Sequence, residues 1–249
     1  MKKKFGWCFF IAVLFVVSLT LLIISKKEAK PIYDIGLSEQ QLENIYRGKR
    51  MTSWLEKNHK EVLKKIHIDD GGKIYVNKEL VLSDYQALEQ LLYNDVLIIM
   101  AIDSKFDLDF FQKLHQPDYV MITICPNAVL ENEMIFDNTK SLQLFGVRPQ
   151  DIKKISSGKS LRGFRISFVE PTIFDFNMLS QMSNLRNVDL NNISDFNENC
   201  INILKHPIKY RITGFESSKM DRKIEFLKKY FNVEYAYSRE DDMHIIELK

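Results

Sequence analysis

Cysteine, glycine and proline are all scarce in this chain. Its 249 residues include three cysteines, nine glycines and six prolines. Cys8, Cys125 and Cys200 are too few for a disulfide scaffold, and no two have the spacing of a zinc or redox motif. Glycine and proline fall below their usual shares of about 7% and 5%, which excludes collagen-like and linker-rich chains. Most residues are therefore expected in regular structure. Catalytic signatures are missing too. There is no Walker loop, G-x-G-x-x-G, G-x-S-x-G or H-E-x-x-H, and His59, His67, His115, His206 and His244 form no i,i+4 pair. The chain reads as a non-enzyme, with no cofactor and no metal expected.

A surplus of one charge is lacking as well. The net charge is +2, but residues 1–30 carry six lysines and one glutamate, which leaves the rest of the chain slightly acidic. Nothing in the body points to a nucleic-acid groove. With 45% hydrophobic and 27% charged residues, wholesale disorder is excluded. The nearest approaches to acidic clusters have simple explanations. Asp69 and Asp70 before Gly71 and Gly72 read as a turn ahead of a strand. Asp241 and Asp242 read as a hairpin loop, and Asp103, Asp107 and Asp109 as helix caps.

What is present begins with one long apolar run. Phe5 to Ser25 holds no charge and is flanked by Lys2, Lys3 and Lys4 on one side and Lys26 and Lys27 on the other. At 1.5 Å per residue the run would span about 31 Å, the hydrocarbon thickness of a bilayer. Residues 1–27 are thus expected to be an N-terminal signal anchor, a single transmembrane helix meeting the membrane through residues 5–25. The C-terminal domain is then expected on the outer (periplasmic or extracellular) side of the cell membrane. A cleaved signal peptide is the alternative.

Beyond the run, short β-branched or aliphatic stretches recur. Taking Ile74, Ile98, Ile122, Phe145, Phe164, Val188, Tyr210 and Val233 as the first inward residue of each, the steps are 24, 24, 23, 19, 24, 22 and 23. Between them lie segments that read as one or two helical turns; Ser83 with Gln86 has the spacing of a capping box. One strand and one short helix in about 23 residues cannot bury an apolar face alone, whereas parallel stacking does. Leu185, Val188 and Leu190 resemble the L-x-x-L-x-L core of a leucine-rich repeat. Leu161, Phe164 and Ile166 keep that spacing, as do Leu142, Phe145 and Val147, and Tyr119, Ile122 and Ile124. The resemblance implies an α/β fold: a leucine-rich-repeat-like solenoid of about eight strand–helix units with a parallel sheet over 71–237. Residues 28–70 supply a linker and a helical N-terminal cap, in which Ser53 opens a helix running to Ile66. Residues 238–249 supply the last strand of a C-terminal hairpin. A compact α/β domain with a parallel sheet would show the same alternation and is the alternative.

If those residues point inward, their neighbours point outward. Leu97, Ile99, Met121 and Leu144 then form an apolar patch that grades into Arg165, Asp189, Lys209 and Arg211. A contiguous exposed apolar patch marks a partner surface, unless the N-terminal segment folds over it. The expected function is that of a membrane-anchored recognition protein binding another protein through this face. A membrane-tethered enzyme with a dispersed site, or a structural subunit of an envelope complex, are the alternatives.

Overall fold

Strict alternation of large apolar residues with polar ones sets the architecture, because a strand presents successive side chains to opposite faces. The computed structural model describes residues 39–115, 117–136, 139–157, 160–196, 209–214, 217–238 and 243–248. The chain divides into units of residues 1–43 and 44–249, and every strand named below belongs to the second. Helix α1 (Glu39–Asn58) precedes β1 (Ile66–Ile68) and β2 (Ile74–Val76); α2 (Leu82–Leu92) leads into β3 (Leu97–Ile102) and β4 (Lys105–Asp107). Then come β5 (Tyr119–Ile124), β6 (Val129–Glu131), β7 (Met134–Phe136), β8 (Ser141–Val147) and β9 (Ile155–Ser157). The remainder is β10 (Gly163–Phe174), β11 (Asn187–Phe196), β12 (Lys209–Thr213), α3 (Ser217–Lys228), β13 (Val233–Ser238) and β14 (Met243–Leu248).

Ten strands form one mixed sheet in the order β1-β2-β3-β5-β8-β10-β11-β12-β14-β13. Its middle is parallel, whereas β1–β2, β12–β14 and β14–β13 pair antiparallel. One face carries the core. Ile98, Ile122, Leu144, Ile166, Leu190 and Ile212 are fully buried there. Against them pack Leu88 and Leu92 of α2, and Phe110 and Phe111 of the 3₁₀ turn Leu108–Lys113. Phe110 meets Phe106 and Phe111 edge-on, at ring separations of 5.9 and 5.4 Å. Each such side chain contributes about 1.5–3 kcal/mol by leaving water.

The helix starts follow side-chain chemistry that the sequence only partly revealed. α2 begins at Leu82, and Asp84 rather than Gln86 reaches back to cap it: its carboxylate accepts the Val81 N–H at 2.8 Å and the Lys65 ammonium at 2.6 Å. Asp84 is buried and Lys65 is partly exposed. Asp84→Ala is expected to cost about 2–3 kcal/mol, and Asp84→Asn clearly less because the cap acceptor survives. Urea denaturation of both variants measures this. Asp69 closes the β1–β2 turn by accepting the Lys73 N–H at 2.8 Å. Asp107 accepts the Asp109 N–H at 3.0 Å and caps the following 3₁₀ turn.

Three expectations are corrected. The first is the eight-unit leucine-rich-repeat-like solenoid. The sheet is a single mixed one with antiparallel ends, and its connections share no common unit. Among the described residues one connection is the helix α2, others contain 3₁₀ turns, and three contribute strands to the small ladders β4–β6 and β7–β9. Near-constant strand spacing requires only that consecutive strands be neighbours, which a large α/β sheet also satisfies. The second concerns the membrane. No described helix is long and apolar enough to cross one. The 20-residue α1 interleaves Glu43, Arg47, Lys49, Arg50, Glu56 and Lys57 with its apolar positions, and a charge at a bilayer centre costs about 2.5–3.5 kcal/mol. The run Phe5 to Ser25 lies outside the described residues. The signal-anchor, transmembrane and cell-membrane expectations have no described helix to carry them and are set aside. The third concerns the cap. No helix begins at Ser53; α1 runs through it and ends at Asn58, and Ile66 starts β1 instead.

Candidate functional site

The face opposite the core presents one continuous cross-strand row. Register pairs Ile99 with Met121, Met121 with Gln143, and Gln143 with Arg165. Arg165 pairs with Asp189, Asp189 with Arg211, Arg211 with Glu247, and Glu247 with Glu234. Eight adjoining strands thus place eight side chains at one level, along about 34 Å at ~4.8 Å per strand. The row passes from aliphatic to amide to alternating charge. Leu97, Tyr119, Ser141, Gly163, Asn187 and Lys209 occupy the next level towards the N-terminal strand ends.

A hollow of about 550 Å³ opens where the two levels meet on β8, β10, β11 and β12. Ser141, Gly163 and Asn187 line one side; Gln143, Arg165 and Asp189 line the other, with Arg211 and Glu247 beyond. Gly163 leaves the space because it brings no side chain. A Cβ there would meet the Ser141 side chain, Oγ at 3.4 Å and Cβ at 3.9 Å, both ordinary contacts.

Arg165 organises the local charge. Its guanidinium carbon lies 5.2 Å from the centre of the Phe145 ring, a cation–π arrangement. Its Nε sits 3.3 Å from Asp189 Oδ2, but off the hydrogen-bonding direction, so Nε and Asp189 Oδ1 are both buried without a hydrogen bond. One strand over, Thr213 donates to Asn191 Oδ1 at 2.9 Å. Burial pushes the Tyr119 hydroxyl above its ordinary pKa, and the positive charge of Arg165 opposes that shift. Arg211 is exposed, and it makes no ion pair among the described residues although it stands between Asp189 and Glu247 in register.

The sequence-derived residues are largely brought together. Arg165, Asp189 and Arg211 share the row with Ile99 and Met121, and Leu97 lies one level away; the three aliphatic side chains are half-buried. Lys209 holds its register place opposite Asn187, but its side chain lies outside the described residues. Leu144 is a correction: it is fully buried in the core, and Phe145 takes the outward position. The cause is Gly146, an extra residue with φ +73° that lets Leu144 and Val147 both face inward. The spacing between strands carried no signal of it, because the steps cross turns and loops, where the period of two does not hold. Gln143, Gly163 and Glu247 were missed. Gly163 has no side chain to attract notice, and Glu247 enters the row only because β14 inserts between β12 and β13.

Cys125, Asp69, Asp70, Asp103, Asp107 and Asp109 do not line the hollow, and Asp241 and Asp242 lie outside the described residues. Cys125 is half-buried; burial raises its thiol pKa first, the Asp103 charge adds to that, and Lys73 opposes it. Cys200 lies outside the described residues. No family model matches the chain, and neither a curated protein nor a solved structure matches it. The leucine-rich-repeat resemblance therefore gains no support from a family match either.

Proposed function

We propose that this chain is a recognition module that binds a partner protein through the outward face of its sheet. The observation that carries the reading is the eight-strand row, graded from Ile99 and Met121 through Gln143 to Arg165, Asp189, Arg211 and Glu247. Burial of the aliphatic end supplies affinity, and the alternating charges penalise a partner of the wrong pattern or register. A rigid sheet holds these groups without ordering cost at the moment of binding, which favours affinity. The proposal needs no catalytic group and no cofactor.

A library of random displayed dodecapeptides, selected on the full-length chain, tests the reading. Selected peptides should lose binding at least tenfold on Ile99→Arg and on Arg211→Glu. They should keep it on Lys78→Glu, an exposed change outside the row. Because Ile99 is half-buried, its variant is also melted. A transition near wild type is expected if the face is open to a partner. A loss of several kcal/mol would instead show Ile99 to be covered, since the new charge would then be buried. No enrichment of any peptide, or binding indifferent to both variants, would remove the proposal.

A further inference from the structure

The charged residues lining the hollow over Gly163 balance in number, two arginines against two carboxylates, but they are not equally engaged. Arg165 and Asp189 face each other, Nε to Oδ2 at 3.3 Å, and offset one another's charge. Arg211 and Glu247 remain. They stand directly opposite each other on β12 and β14, which sets their Cα atoms about 5 Å apart. Both line the hollow, yet among the described residues neither forms an ion pair or a side-chain hydrogen bond. The lining nearer β10 is uncharged. Ser141, Gln143 and Asn187 surround Gly163, and each of the three can both donate and accept a hydrogen bond.

We infer that this hollow binds a small zwitterion, a free α-amino acid, with its carboxylate on Arg211, its ammonium on Glu247 and a polar side chain reaching towards Gly163. A volume of about 550 Å³ is of small-molecule size. An anion or a cation alone would meet one of the two charges and be repelled by the other. An uncharged apolar molecule would take both out of water with nothing in return. A zwitterion answers both with charge-assisted hydrogen bonds: the Arg211 guanidinium can donate two parallel bonds to the carboxylate, and Glu247 accepts from the ammonium. The walls then select the side chain. Asn187 lies on β11, one strand of ~4.8 Å from β12, and Gly163 lies one strand further on β10. A carboxamide or hydroxyl at that reach meets Asn187, Gln143 and Ser141, and Gly163 leaves room for it. Glutamine, asparagine and serine are therefore the expected ligands. Leucine and phenylalanine would strip the same amides of water without replacing it. The inference stands apart from the protein-binding proposal, although the two share residues of the row.

Isothermal titration calorimetry on the full-length chain provides the test, with L-glutamine, L-asparagine, L-serine, L-leucine and L-phenylalanine as probes. The three polar amino acids should bind, and the two apolar ones at least about tenfold more weakly. N-acetyl-L-glutamine lacks the ammonium and L-glutaminamide lacks the carboxylate; each should lose at least about tenfold against L-glutamine. Arg211→Gln and Glu247→Gln should each weaken L-glutamine by a similar factor. The decisive readout is the matched pairing. L-glutaminamide should bind Arg211→Gln as it binds the parent, and N-acetyl-L-glutamine should bind Glu247→Gln as it binds the parent, because each variant removes a contact the analogue no longer makes. A merely structural role for either residue would weaken every ligand alike. Arg211 is exposed, so its variant should melt within about 2 °C of the parent. If Glu247→Gln fails to fold, Arg211→Gln with L-glutaminamide decides alone. No heat from any amino acid at millimolar concentration, or analogues that bind as well as L-glutamine, overturns the inference. Tighter, equally variant-sensitive binding of O-phosphorylethanolamine overturns it in favour of a zwitterionic lipid headgroup. Each of these outcomes leaves the protein-binding proposal standing, since the peptide selection tests that separately.

Discussion

Val188→Asp is expected to destabilise the chain by about 4 kcal/mol or more, whereas Asn187→Asp, one residue away, should change stability by less than about 0.5 kcal/mol. Val188 is 2% exposed, the second residue of β11, between Phe164 and Tyr210 in register, at 2% and 1%. A carboxylate there would have neither water nor a cationic partner, and the truncated volume would leave neighbouring rings underpacked. Asn187 faces the hollow and is exposed. The pH dependence provides a second check. Burial raises the folded-state pKa of the new carboxyl above its unfolded value. The folded state then holds the proton more tightly, so the deficit is smallest below the unfolded pKa of about 3.9 and grows as pH rises towards the folded pKa. Urea titrations at acidic and neutral pH measure both effects. If the two variants melt alike, the strand's faces have been assigned the wrong way round.

Gly146→Ala should cost about 3 kcal/mol or more for the addition of a single methyl group. Two effects coincide at this position. The backbone has φ +73°, where an L side chain costs about 1–2 kcal/mol. An added Cβ would also stand 2.3 Å from the Ile124 carbonyl oxygen of the neighbouring strand. That oxygen is main chain in the sheet and cannot swing away as a flexible side chain would, so β5 and β8 would have to part. Their separation would undo the bulge that places Leu144 and Val147 inward and Phe145 outward. The expected consequence reaches the site, because Phe145 supplies the ring beneath Arg165. Gly163→Ala is the control. It adds the same methyl at an ordinary φ with a 3.4 Å contact, and should be nearly neutral. Equal losses for the two variants would show that neither the positive φ nor the Ile124 carbonyl sets the cost, because the entropy change of replacing glycine by alanine is itself stabilising.

The local pattern in the chain carried much of this. Alternation at Leu97 to Met100, Tyr119 to Ile124 and Asn187 to Leu190 was enough to say which residues share a face, because a strand's period of two is intrinsic to its backbone. The exception to alternation in β8 was not legible in this way. Within Leu142 to Val147 no local pattern says which residue is the extra one. Gly146 is that residue: its backbone has a positive φ and lies against the carbonyl of Ile124, a residue 22 positions earlier, where no Cβ fits. Asp84 and the α2 start follow the same division: the capping chemistry is local, but Lys65 comes to it from another turn of the chain.

Tertiary structure alone decided the rest. Even spacing of strands and short helices fits both a stacked repeat and one wide mixed sheet, since each element needs only a neighbour to cover its apolar side. The choice fell to the two ends, where β1–β2 and β12–β14–β13 pair antiparallel. The candidate site was legible as a list of outward residues but not as a site. Strand register converts Arg165, Asp189 and Arg211, separated by about two dozen residues each, into neighbours about 5 Å apart. It also adds Glu247 from a strand inserted out of sequence order and opens the hollow at Gly163, a residue that matters there through the side chain it lacks. Pairing across a sheet is a long-range property, and no window of sequence contains it.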